Sequence, residues 1–220
     1  MKRIQSRRRF MGILSGGMVA TAGTFALGVP FSSAQSGEKK HLTEEPVSVS
    51  SKPYGKVLIV YESQFGSTAA IAHFIGENLS SKKGLVDIKK IEEVDELSSY
   101  KEIIVGSAIQ YDKWMPEARA FIKENEEVLS TKNVSFFLVC LVLSRNTEEA
   151  RQKANGYAKA ILDIVPKVKV QSFGTFAGVL DYSKMSLVQR LFAKAIFAVL
   201  GVKEGDYRDW SLIQKWTEKL

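Results

Sequence analysis

Three hydroxyls and a glycine crowd into the stretch YESQFGST: Ser63, Gly66, Ser67 and Thr68. Hydroxyls at that spacing converge on one anion, and a glycine among them lets the backbone N–H groups come close to it. A phosphate is the anion such a turn suits, and Gln64 and Phe65 complete the loop. Two common phosphate loops do not fit. The triphosphate pattern G-x-x-x-x-G-K-[ST] needs a lysine, and none occurs between Val57 and Ser81. The dinucleotide pattern G-x-G-x-x-G needs three glycines, where Gly66 stands alone. A second cluster, Ser107, Ala108, Ile109, Gln110, Tyr111, Lys113 and Trp114, begins with small residues and ends with two aromatics. Tyr111 or Trp114 could stack on a flat ring, and either could instead close the core.

Both clusters need rigid elements behind them. Val57 to Tyr61 is apolar without interruption, as in a parallel strand buried on both faces. From Thr68 the apolar residues Ile71, Ala72, Phe74 and Ile75 resume at helical spacing, so the hydroxyl turn sits at a helix start, whose free N–H groups and dipole favour anions. Further strands are expected at Val86 to Ile91, Glu102 to Val105, Val134 to Leu143 and Val168 to Phe176. Helices are expected from Pro116 to Leu129, from Glu148 to Ile164 after a cap in Ser144 to Thr147, and from Trp210 to Leu220 with Leu212, Ile213 and Trp216 inward. Alternating strands and helices make an α/β doubly wound parallel sheet. Ligands of such sheets bind at the carboxyl ends of the strands, where Glu62 to Thr68 meets Ser107 to Trp114.

The residues Ile59, Val60, Tyr61, Ser63, Gly66, Thr68, Ala72 and Ile75 resemble the flavodoxin signature in order and type. YKEIIVGSAIQY, FAGVLDYSKMSLVQRLFAKAIFAVLG and GDYRDW extend that likeness to the flavodoxin-domain family that includes the menaquinone-dependent protoporphyrinogen dehydrogenase, over essentially Lys56 to Trp216. The resemblance implies a flavodoxin-like five-stranded sheet of order 2-1-3-4-5 with a helical insert near the last strand, and FMN as cofactor. It also implies a phosphate loop at Ser63 to Thr68, a ring loop at Ser107 to Lys113, and a third loop at Leu141, Val142, Leu143, Ser144 and Arg145. No side chain stands out as a catalytic acid or base. The activity implied is an FMN oxidoreductase taking electrons from a small-molecule or protein donor to a quinone. A flavodoxin-type carrier without its own substrate is the alternative, and a flavin-free binding module a third.

In the insert, Val188, Leu191, Phe192, Ala195 and Val199 follow a helical period beside a polar stripe of Ser186, Arg190 and Lys194. It either buries against the sheet edge or meets a membrane or hydrophobic substrate through residues 183–201. Upstream, Lys2, Arg3, Arg7, Arg8 and Arg9 precede a Gly-rich apolar stretch, and SRRRF resembles a twin-arginine export signal ending near Ala34. The alternative is an uncleaved anchor. Residues 35–53 read as a flexible tether, the domain starting near Tyr54. Removing the five basic residues of the signal from the net charge of +7 leaves +2, without the basic footprint of a nucleic-acid binder. Cys140, the only cysteine, lies in an apolar run and reads as a core thiol. His41 and His73 have no ligand partners at metal spacing, so no metal site is expected.

Overall fold

The computed structural model describes residues 55–220; the expected export signal, the tether and the domain start at Tyr54 lie outside the described residues. In chain order the first elements are β1 (Val57–Glu62), α1 (Ser67–Lys83), β2 (Val86–Lys90), β3 (Glu102–Gln110), β4 (Lys113–Trp114), α2 (Pro116–Glu124) and α3 (Glu126–Leu129). They are followed by β5 (Asn133–Cys140), α4 (Glu148–Leu162), β6 (Val170–Ala177), β7 (Val179–Leu180), α5 (Leu187–Val199), β8 (Gly205–Asp206) and α6 (Trp210–Thr217). The main sheet runs β2-β1-β3-β5-β6, all parallel, with β4 folded back antiparallel on β3. Counted over its parallel strands, this is the expected order 2-1-3-4-5 of a flavodoxin-like fold.

Because side chains alternate along a strand, β1 feeds two cores. Leu58 and Val60 join Ile103, Val105, Ile122, Phe136, Leu138, Ala154 and Ile161 on the face covered by α2 and α4. Val57, Ile59 and Tyr61 join Ile71, Ile75, Leu79, Phe137 and Ile213 on the face covered by α1 and α6. Burial on both faces explains the unbroken apolar run in β1. Cys140 is buried in the first core, and burial pushes its thiol up to about 11, so the core-thiol reading holds.

Several boundaries and one orientation differ from expectation. β3 runs on to Gln110, because its end pairs with β4 at Ile109↔Trp114 and Gln110↔Lys113. β5 stops at Cys140, where its neighbour β6 ends at Ala177; Leu141–Ser144 then curls into a 3-10 turn, with Ser144 Oγ donating to the Leu141 carbonyl at 2.7 Å. The helix expected over Pro116 to Leu129 breaks at Asn125, whose side chain donates to the Phe121 carbonyl at 2.8 Å and so competes for the helix's own acceptor. In α6 Leu212 faces solvent, because Asp209 caps the helix in a register that turns Ile213, Trp216 and Thr217 inward.

The insert is not core. None of α5 is buried, and Leu187, Val188, Leu191, Phe192, Ile196 and Val199 are exposed, which corrects the reading that packs it against the sheet edge. Of the expected polar stripe, Arg190 Nε donates to the Tyr182 carbonyl at 2.9 Å and Lys194, itself exposed, stands over the Tyr182 ring. A short antiparallel ribbon of β7 and β8 carries this segment. Among the described residues no helix is long and apolar enough to cross a membrane.

Candidate functional site

Register brings the expected loops to one edge. Glu62 pairs with Ser107, Ser107 with Leu138, and Leu138 with Thr175, so the chain after each of these strands emerges at the carboxyl end of the sheet.

The first loop closes on itself before α1 begins. The Glu62 carboxylate accepts the Ser63 N–H at 3.1 Å, and Ser63 Oγ accepts the Gly66 N–H at 3.1 Å. Burial pushes the Glu62 carboxyl above its ordinary value against the pull of the Ser63 N–H, with the Glu117 and Glu92 carboxylates adding to the rise. Gly66 is the N-cap of α1 at φ 89, a left-handed conformation that suits glycine. No side chain caps α1 and no acidic residue lies in its first turn. Its opening N–H groups, at Ser67, Thr68 and Ala69, therefore lack the partners that a cap or carboxylate would supply. Thr68 Oγ1 is buried and has no hydrogen-bond partner, one of two such side-chain atoms among the described residues. A buried hydroxyl left without a partner is costly, and a phosphate oxygen would provide one. The donors present here thus fit a phosphate.

The second loop is a hairpin. Ser107 is fully buried, its hydroxyl donating to the Ala108 carbonyl at 2.9 Å and accepting the Met115 N–H at 3.1 Å, so the hydroxyl serves the fold. Ala108, Ile109 and Gln110 lie in β3 as half-buried strand residues, not loop. Tyr111 and Asp112 form the two-residue turn, with φ of 49 and 61. Tyr111 is 97% exposed at the tip, and Lys113 beside it is also exposed. Trp114 takes the other alternative left open in the sequence. It is 1% exposed, its ring 5.5 Å from Phe136 and 6.4 Å from Phe173, and it closes the core instead of presenting a face to a ring. Its Nε1 is the second unpartnered buried atom.

The two loops are joined directly, Gln110 Nε2 donating to Gln64 Oε1. This bond brings Ser63, Gln64, Phe65, Gly66, Ser67 and Thr68 next to the hairpin that carries Tyr111. The third loop runs beside them. Leu141, Val142, Leu143 and Ser144 are half-buried, Val142 and Leu143 packing on the core, and Arg145 is exposed. Spacing gave no sign of Gly178, which packs against the first loop. A Cβ there would meet Val139 Cγ1 at 3.0 Å and Ser67 Oγ at 3.1 Å, so any side chain would require those neighbours to give way by a few tenths of an ångström. Asp112 lies within the expected ring loop, and its carboxylate is held below the usual range by the Tyr157 hydroxyl and then by Lys153. Together the arrangement can hold a phosphate monoester at the head of α1 and receive a flat ring on Tyr111.

A family model described as a flavodoxin domain matches residues 58–206. Flavodoxin domains bind FMN. Among solved structures, flavodoxin 2 of Bacillus cereus is 25% identical, with 67% of this chain and 99% of that one covered and a TM-score of 0.44. A flavodoxin from the Archaea is 19% identical over 74% of this chain and 97% of its own, with a TM-score of 0.41. A variant flavodoxin of Fusobacterium nucleatum bound to flavin mononucleotide is 19% identical over 56% of this chain and 69% of its own, with a TM-score of 0.39. No curated protein matches the chain.

Proposed function

Because the chain belongs to the flavodoxin-domain family, we propose that it is an FMN-dependent oxidoreductase that carries electrons from a reduced donor to a quinone, akin to protoporphyrinogen dehydrogenase. The observation that carries the flavin reading is the buried, unpartnered Thr68 hydroxyl at the uncapped head of α1, where a phosphate oxygen would be its partner. Bound FMN would supply the capacity to take up and release electrons, while the protein supplies position and electrostatics. The opening N–H groups of α1 with Ser67 and Thr68 would hold its phosphate, and Tyr111 would offer an aromatic surface to its ring.

The quinone end of the reading is supported by α5, whose large apolar side chains stand in solvent where a membrane surface or an apolar acceptor can reach them. Export by the twin-arginine route accords with both, since that route carries folded proteins and the flavin can be loaded beforehand. The flavodoxin-type carrier is the second reading, favoured by the open position of Tyr111 at the hairpin tip, within reach of a partner protein. The test is an anaerobic visible spectrum of the FMN-loaded protein. Bleaching of the flavin band by protoporphyrinogen, with recovery on a menaquinone analogue, supports the dehydrogenase; bleaching by dithionite alone moves the weight to the carrier.

A further inference from the structure

We propose that Lys184, delivered by the insert, is the counter-ion of the phosphate at the head of α1; the proposal rests on the FMN reading of that site. A Cβ built on Gly66 would lie 3.8 Å from Lys184 Nζ, so the ammonium stands over the backbone of the phosphate loop. This is an unfavourable place for a cation by itself. Gly66 caps the amino end of α1, where the helix dipole is positive, and the first turn of α1 has no acidic residue to offset it. An anion between the ammonium and the helix start reverses the sign of both interactions. The unpartnered Thr68 Oγ1 in the same turn independently calls for an acceptor or donor from outside the chain.

The turn that carries Lys184 is fixed from three sides. The Asp181 carboxylate accepts the Ser183 N–H at 2.9 Å, the Glu204 carboxylate accepts the Tyr182 N–H at 2.8 Å, and Arg190 of α5 donates to the Tyr182 carbonyl at 2.9 Å. Arg190 on α5 thus helps to position the turn. Lys184 itself makes a weak charge interaction with Asp181, helping to keep that carboxyl below its ordinary value after the Ser183 hydrogen bonds. A phosphate dianion is the stronger partner for it.

The test titrates the flavin-free protein with FMN and with riboflavin, which lacks the phosphate, following quenching of flavin fluorescence at low and high salt. Lys184→Gln should weaken FMN about tenfold, ~1.4 kcal/mol, leave riboflavin unchanged, and flatten the salt dependence of FMN binding. Lys184→Arg should keep most of the FMN affinity. Unchanged FMN affinity in Lys184→Gln, or FMN and riboflavin weakening together, would overturn the proposal while leaving the FMN reading intact. A wild-type protein that binds neither flavin would overturn the FMN reading itself. Lys184 is exposed, and unchanged melting of the variant checks that its fold is retained.

Discussion

The Tyr157 hydroxyl on α4 donates a hydrogen bond to the carboxylate of Asp112 at the tip of the β3–β4 hairpin. Lys153, on the same helix, pairs with that carboxylate at 3.0 Å. The hairpin tip that presents Tyr111 is therefore tied to α4 as well as to its own strands. Two adjacent non-glycine residues at positive φ persist only where surrounding contacts over-determine them, and these contacts do so.

The tie should show in the pH dependence of stability. Tyr157 and then Lys153 hold the Asp112 carboxyl below its usual range, so its folded pKa lies under the unfolded value of ~3.9. Stability from this group is complete above the unfolded value and is lost as pH falls through the lower, folded one. Tyr157→Phe keeps the ring and should cost about 1 kcal/mol in urea unfolding at neutral pH. The gap from wild type should narrow below about pH 4. Urea midpoints across a pH series check this, and a gap that persists undiminished into acid would contradict it.

Tyr111 should show a trade-off between stability and binding. A left-handed conformation costs a non-glycine residue about 1–2 kcal/mol, while glycine adds about 0.5–1 kcal/mol of unfolded-state entropy. Tyr111→Gly should thus stabilise the flavin-free protein by up to ~1 kcal/mol, since the side chain is exposed and gives up little packing. The same change removes the ring face and should weaken FMN severalfold. Melting and flavin titration on one preparation would decide it; lower stability with unaltered flavin affinity would place the aromatic outside the site.

Much of this fold could be read in advance because two-sided burial leaves a strong mark. The apolar runs of β1 and β5 and the hydroxyl turn before α1 needed no tertiary knowledge. Ends were less legible. Leu141–Leu143 reads as strand by composition, yet β6 has no residue left to pair with it after Ala177. Trp114 and Tyr111 are equally aromatic in sequence, and only the two-residue turn decides that one points into the core and the other into solvent. Arg190 and Leu191 were legible as polar and apolar faces of one helix, but their orientation depended on Tyr182, a contact made outside the helix. Gly178 and Lys184 belong to the site through close approaches made late in the chain, which local spacing does not encode.

Thr68→Val should act with opposite sign on the empty and the loaded protein. The buried hydroxyl has no partner without ligand, so replacing it by an isosteric methyl removes an unsatisfied group at no cost in volume. The flavin-free variant should be as stable as wild type or up to ~1 kcal/mol more so. Its FMN affinity should fall about ten- to a hundredfold, as expected for one lost hydrogen bond to a charged group. Adding Gly66→Val should abolish FMN retention, because valine is strained at φ 89 and distorts the loop. Destabilisation of the empty single variant would mean that the hydroxyl already has a partner in the protein.

The outward face of α5 should be separable from the inward turn it supports. Leu191 and Phe192 are 69% and 68% exposed, so Leu191→Gln with Phe192→Gln removes almost no packing. Stability should stay within about 0.5 kcal/mol of wild type, and FMN affinity should not change, since Arg190 and Lys184 remain in place. If the apolar face meets a membrane, co-sedimentation of the flavin-loaded protein with anionic phospholipid vesicles should be lost in this variant, because the apolar area available to the interface is removed while the basic residues stay. Vesicle binding retained by the double variant would assign the exposed face to an apolar electron acceptor or a protein partner instead, and reduction of a soluble quinone analogue measured on the same pair of proteins would then separate those two.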